Sequence, residues 1–302
     1  MLGVGGSNPL APIFLLKRKM NISFFIIHHW GHFLPRGVGE FITRRIADFC
    51  YFTIYRKGRN YFLNNIDLIF GDSLTFKEKR HIALMAVRNF ATFVYEFLLV
   101  PRIKKRNMGK FMIPVNFERA KDAFKKGKGV IILTGHLGNY EWGAVLLRLL
   151  GYPLTVISLP YKTRYVTNFF EHKRKSQGMD ILYTGHSTIG SVKALKRGNM
   201  LAIVGDRVFS EEGIEVEMFG RKTVFPKGAI ILGLITGAPI VPAFAVKERD
   251  GLYHVYFEDP IELEQGNSIE EGVKKNIDKW VKIVEKYIKK YPEQWYLFEK
   301  LW

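Results

Sequence analysis

Two textures divide the chain. From about residue 37 to 107, apolar residues recur at three- and four-residue spacing, as in GEFITRRIADFCYFTIYR and TFKEKRHIALMAVRNFATFVYEFLL. That period predicts amphipathic helices. Thr75 with Glu78 three residues later predicts a capping box. From about residue 116, short apolar runs alternate with helical patterns. FERAKDAFKKGK, NYEWGAVLLRLLG, YVTNFFEHKRKSQG, STIGSVKALKRG and a segment from about Lys227 read as helices. GVIILT, LTVIS, MDILY, MLAIVG, GIEVEMFG, IVPAFAV and LYHVYFE read as strands. A long basic helix, about Ile269 to Lys290, precedes YPEQWYLFEKLW.

The alternation predicts an α/β fold: a central mixed β-sheet flanked by helices, with an aromatic-rich helical N-terminal part. Residues 1–19 are expected to be a loose extension and 20–302 a single domain, helical over 20–115 and α/β over 116–302. In such sheets the chemistry collects in loops at the carboxyl ends of strands. That rule selects Thr134-Gly135-His136 and Gly205-Asp206-Arg207.

Composition narrows the partners. The net charge of +18 favours an anionic lipid surface or an acidic protein. No nucleic-acid motif appears, so nucleic acid is not expected. The single cysteine, Cys50, excludes an internal disulfide and suits a reducing compartment. It reads as a buried small hydrophobe. The segment ISFFIIHHWGHFL is too short to span a bilayer. Its His28, His29 and His32 read as part of an interfacial or core-facing stretch. The uncharged run from Ala229 to Val246 is broken by Gly237, Pro239 and Pro242, so it reads as buried helix, turn and strand. No metal and no cofactor is expected.

ILTGHLGNYEWGA holds the candidate chemistry. Residues five apart on one continuous helix point about 140° apart, so His136 and Glu141 would not meet there. At a strand-to-helix junction they can. Gly135 and Gly138 permit a tight turn, Asn139 can start the helix, and Glu141 falls in its first turn. The imidazole would fold back on Glu141, which would hold its Nδ1 proton and leave it a general base. The same residues also fit a plain helix start, with Glu141 favouring the dipole. No G-x-S-x-G motif is present, so the nucleophile is expected to be the acceptor hydroxyl itself.

HLGNYEWGA after an apolar strand resembles the bacterial lipid A biosynthesis lauroyl/myristoyl acyltransferases, a branch of the lysophospholipid acyltransferase superfamily. HKRKSQGMDI, the block from GDRVFSEEG to IVPAF, and YPEQWYLFEKLW are similar to further family blocks, from about residue 30 to the end. The resemblance implies transfer of a fatty acyl group from a thioester to a hydroxyl of a lipid A precursor or related membrane lipid. The donor would be acyl carrier protein, or alternatively acyl-CoA with a lysophospholipid or glycolipid acceptor. A non-catalytic basic lipid-binding protein is the rival from another class. The resemblance further implies His136 as base with Glu141. Arg174, Asp206, Arg207 and Asn139 would serve the oxyanion or the acceptor. It places a peripheral or monotopic protein on the cytoplasmic face of the inner membrane, with the helical part facing the bilayer. Arg207 follows Asp206 where many members have Gln, which leaves the acceptor open.

Overall fold

The computed structural model describes residues 34–160, 164–184, 187–208 and 213–302. The extension 1–19 and His28, His29 and His32 lie outside the described residues. Contacts cluster into two compact units: Val100–Tyr287, and the described residues before Val100 together with Ile288–Trp302.

The second unit is helical: α1 (Arg36–Phe52), α2 (Arg56–Phe70) and α3 (Phe76–Leu98). The Thr75–Glu78 capping box forms as its spacing predicts, with the Thr75 N–H donating to the Glu78 carboxylate at 2.7 Å and the Glu78 N–H to the Thr75 hydroxyl at 3.3 Å. The returning C-terminal segment packs Tyr296 and Phe298 against Phe90 at 5.3 and 5.5 Å between ring centres. The Asn65 and Asn89 amides donate to the carbonyls of Glu299 and Glu293. Trp295 is buried in this core. Cys50 is half-buried rather than buried, because it lies on the flank of α1 and not on its inner face.

The larger unit contains β1 (Met112–Val115), α4 (Glu118–Lys125), β2 (Val130–Thr134), α5 (Tyr140–Leu149), β3 (Leu154–Ser158), α6 (Arg164–Lys175), β4 (Asp180–Tyr183), α7 (Ser187–Lys196) and β5 (Met200–Val204). It continues with β6 (Gly213–Met218), β7 (Arg221–Pro226), α8 (Gly228–Thr236), β8 (Ile240–Lys247) and β9 (Tyr253–Phe257), and α9 (Ile269–Lys290) closes it. Seven strands form one sheet in the order β1-β9-β8-β2-β5-β3-β4. Only β8 and β9 pair antiparallel within it, so the sheet is mixed. β2 is central and buried along its whole length, which explains its unbroken apolar run.

Two strands went unread in the sequence. β1, at the end of the stretch read as helical, is a short edge strand that tolerates Pro114. β7 pairs with β6 in a separate hairpin closed by Phe219-Gly220, both at positive φ (52° and 72°), the geometry of a two-residue hairpin turn. No described helix is long and apolar enough to cross a membrane.

Candidate active site

Sheet register builds the site. β2 and β5 run parallel with Thr134 opposite Val204. Two residues on from each stand His136 and Asp206, so the two side chains leave the sheet at one level. The Gly205 N–H donates to the Thr134 carbonyl at 2.8 Å, and the buried Trp280 indole N–H donates to the Gly205 carbonyl at 2.8 Å. Both turns are therefore tied down from below.

Gly138 fixes the entry to α5. Its φ is +64°, and an added Cβ would lie 1.9 Å from the Ala245 carbonyl oxygen. Only glycine fits so close an approach. The next N–H, that of Asn139, donates to the same oxygen at 2.7 Å. Asn139 then caps α5, its side-chain carbonyl accepting from the Trp142 N–H at 3.0 Å.

His136 and Asp206 form the central contact. His136 Nδ1 lies 2.6 Å from Asp206 Oδ1, and the His136 backbone N–H donates to Asp206 Oδ2 at 2.9 Å. The contact with a carboxylate assigns the Nδ1 proton and makes Nε2 the basic position. Burial drives the imidazole below its ordinary value, with the Asp206 charge opposing and the Arg207 charge assisting. Burial alone would raise Asp206, but the His136 contacts and the Arg207 charge outweigh it and hold the carboxyl at about 2. The pair is a neutral imidazole on an ionised carboxylate. Arg207 is buried beside it, its Nε 3.8 Å from Asp206 Oδ2.

Glu141 is elsewhere engaged. Arg174 donates to both its oxygens, Nε to Oε2 at 3.1 Å and Nη2 to Oε1 at 2.5 Å, while Nη1 donates to Ser158 Oγ at 2.8 Å. No hydrogen bond joins Glu141 to His136. In place of the expected His136–Glu141 contact the structure has a His136–Asp206 contact: the guanidinium fork engages both oxygens of Glu141, and register delivers Asp206 to the imidazole. Arg174, expected at the oxyanion or acceptor, ties α5 to α6 and β3 through these contacts. Asn139, expected in the same role, is 0% exposed and spends its carbonyl on the helix cap.

Other features were missed in the sequence. The Tyr140 ring meets His136 edge-on at 5.6 Å. Tyr140 also lines a narrow apolar cavity of about 30 Å³ between α5 and the sheet. Gly143, Ala144, Ala202, Ala243 and Ala245 leave the room, and Leu147, Val255 and Phe257 complete the wall. The alternation of Ala243 and Ala245 along β8 was the available signal, since both alanines point to one face of the strand. Among the described residues, no cluster of three His, Cys, Asp or Glu side chains could hold a metal ion.

A family model described as bacterial lipid A biosynthesis acyltransferase matches residues 12–302. The chain belongs to this family. Among curated relatives, the phosphatidylinositol mannoside acyltransferase of Mycolicibacterium smegmatis is 24% identical over 170 residues, 55% of this chain and 56% of that protein. The protein of the same name from Mycobacterium tuberculosis is 21% identical over 172 residues, 55% of this chain and 54% of the relative. The chain spans about half the length of these curated relatives. In this member of the lipid A acyltransferase family, two of the blocks that carry the resemblance, HLGNYEWGA and the one opening GDR, supply the two halves of the His136–Asp206 contact.

Proposed function

We propose that the protein transfers a fatty acyl group from a thioester to a hydroxyl on the headgroup of a membrane glycolipid, with His136 as general base and Asp206 as its partner. The observation that carries this reading is the buried 2.6 Å His136–Asp206 contact beside an apolar cavity. Nε2 removes the proton of the acceptor hydroxyl as its oxygen attacks the thioester carbonyl. The tetrahedral intermediate collapses, the carbon–sulfur bond breaks, and the imidazolium returns the proton to the thiolate. Asp206 holds the Nδ1–H, fixes the tautomer and stabilises the imidazolium. Arg207, the cation beside the pair, serves the oxyanion or an acceptor phosphate. The cavity takes the start of the acyl chain, with Tyr140 at its mouth. Glu141 and Arg174 position α5 and do not handle the proton.

The donor is acyl carrier protein, which the basic surface suits, and the acceptor is a lipid A precursor at the cytoplasmic face of the inner membrane. The names of the curated relatives favour a second acceptor, a mannosylated phosphatidylinositol. Purified protein incubated with acyl carrier protein thioesters or acyl-CoA and each lipid, followed by mass spectrometry, tests the scheme. An acyl-sized mass gain that disappears in His136→Ala supports it and identifies donor and acceptor. Equal product from wild type and His136→Ala rules the scheme out.

A further inference from the structure

A second cavity lies at the opposite end of the sheet from the chemistry above. It opens where β2 and β8 begin side by side, with Ile131 opposite Ile240, whereas His136 and Asp206 follow the ends of β2 and β5. The five residues of β2 put about 17 Å between the two places. The volume is about 320 Å³, against about 30 Å³ for the cavity beside Tyr140. That is the size at which small-molecule sites begin. Its floor is apolar: Pro239 at the entry to β8, and Ile261 and Leu263 from the segment after β9. The Ile261 N–H ties that segment to the Ile240 carbonyl at 2.8 Å. Alternation along it turns Ile261, Leu263 and Gln265 to the cavity. Glu264 turns the other way, where Lys279 meets its carboxylate at 2.7 Å.

Charge selects the ligand. The turn between α4 and β2 brings Lys126 and Lys128 to the rim. Their neighbour Lys125 is paired with Asp122 at 2.7 Å. Among the described residues neither Lys126 nor Lys128 has a carboxylate partner, and the Gln265 amide makes no hydrogen bond. No carboxylate lines the cavity. Gly237 ends α8 at a φ of +66°, and a Cβ added there would stand 3.3 Å from the Lys128 ammonium. The Lys128 head therefore sits over bare backbone at the cavity wall. The end of α8 carries about half a negative charge, which two full positive charges outweigh. The balance favours an anion, and the floor favours one with an apolar body. At about 30 Å³ for each water-sized group, the space takes about ten non-hydrogen atoms. Lysine ammonium groups act as point charges, so they suit a phosphate or a carboxylate.

We propose that this cavity binds a small soluble organic anion, a phosphate monoester or carboxylate with a compact apolar body, with Lys126 and Lys128 on the charge and the Gln265 amide donating beside them. The site does not depend on the reaction assigned above. The test uses the full-length protein with 4-fluorophenyl phosphate and 4-fluorobenzoate, followed by broadening of the fluorine resonance at low ionic strength. At least one should bind with a Kd of about 1 mM, and the tighter of the two identifies the head group. The uncharged 4-fluorobenzyl alcohol should not respond. The double variant Lys126→Gln, Lys128→Gln should weaken binding about tenfold. Gln265→Glu should weaken it too, by setting a carboxylate beside the two lysines. These changes touch only exposed side chains, so the melting temperature should hold. The variant Lys282→Gln, Lys289→Gln removes the same charge from exposed positions on α9 and should leave the affinity unchanged. So should Ala243→Val in the smaller cavity. Absence of binding by both anions at about 10 mM overturns the proposal, as does an alcohol that binds as well as they do. Equal weakening in the two double variants overturns it as well, since that is attraction to a basic surface at large. Weakening by Ala243→Val alone does so by putting the probe beside Tyr140.

Discussion

Two buried pairs of opposite charge character lie within a few residues of each other, His136–Asp206 and Glu141–Arg174, and they differ in what they leave for chemistry. In the second pair a guanidinium and a carboxylate consume each other's hydrogen-bonding capacity, and Ser158 takes a further donor. A carboxylate gripped at both oxygens by a guanidinium fork holds position. In the first pair the carboxylate engages only Nδ1, which leaves Nε2 as the ring position that can take a proton. The contrast shows why a conspicuous spacing in the sequence need not mark the residue that touches the ring: Glu141 is near His136 in the chain and braces the helix, whereas Asp206 is 70 residues away and meets the imidazole.

The sharpest way to break this comparison is to remove the base. His136→Ala should lower kcat/KM by about 10⁴-fold while circular dichroism and melting temperature stay near wild type. Next in size, Asp206→Asn should cost about 10³-fold. It should also move the acid limb of the pH profile. Burial places that limb below the ordinary histidine value of 6.5 in the wild type, because activity needs the neutral ring and is lost as pH falls through its pKa. The Asp206 charge raises that pKa, so its loss should push the limb to still lower pH. Glu141→Gln should behave differently. It leaves the buried Arg174 charge poorly paired and should lower stability by about 3 kcal/mol, read by urea unfolding. The acid limb should not move, and a shift comparable to that of Asp206→Asn would return Glu141 to the proton path. The smallest effect is expected from Ala243→Val, which narrows the cavity. It should reduce kcat/KM about tenfold for long acyl donors and less for short ones, measured in competition between thioesters of two chain lengths.

Much of the fold was legible because local chemistry and tertiary role agree. Thr75 and Glu78 cap α3 as their spacing dictates, and α9 runs from Ile269 to Lys290, the bounds that its apolar period suggests. The two loops that carry the site were also legible, from the rule that parallel sheets present chemistry at strand ends. Which residues within those loops touch was not. That depends on β2 and β5 being neighbours, a pairing between segments 70 residues apart that no local pattern encodes. β7 was illegible for a different reason: Arg221, Lys222 and its closing Pro226 leave only Thr223, Val224 and Phe225 to alternate between buried and exposed, too short a run to read as a strand. Arg174 lies among the basic residues of the α6 sequence, and only the approach of α6 to α5 turns it inward to Glu141.

The pairing of Thr134 with Val204 has one more consequence. Sliding β2 past β5 by a single residue would carry Asp206 about 3.3 Å along the strand direction, beyond hydrogen-bond reach of the imidazole, and would turn each side chain of the slipped strand to the other face of the sheet. A compact molecule with that slip would keep its helices and much of its circular dichroism yet be silent in an acyl-transfer assay. Under the proposed mechanism, acyl transfer is therefore an all-or-none report of sheet alignment, and specific activity after refolding should count the fraction of molecules whose strands found the right neighbours in the right phase.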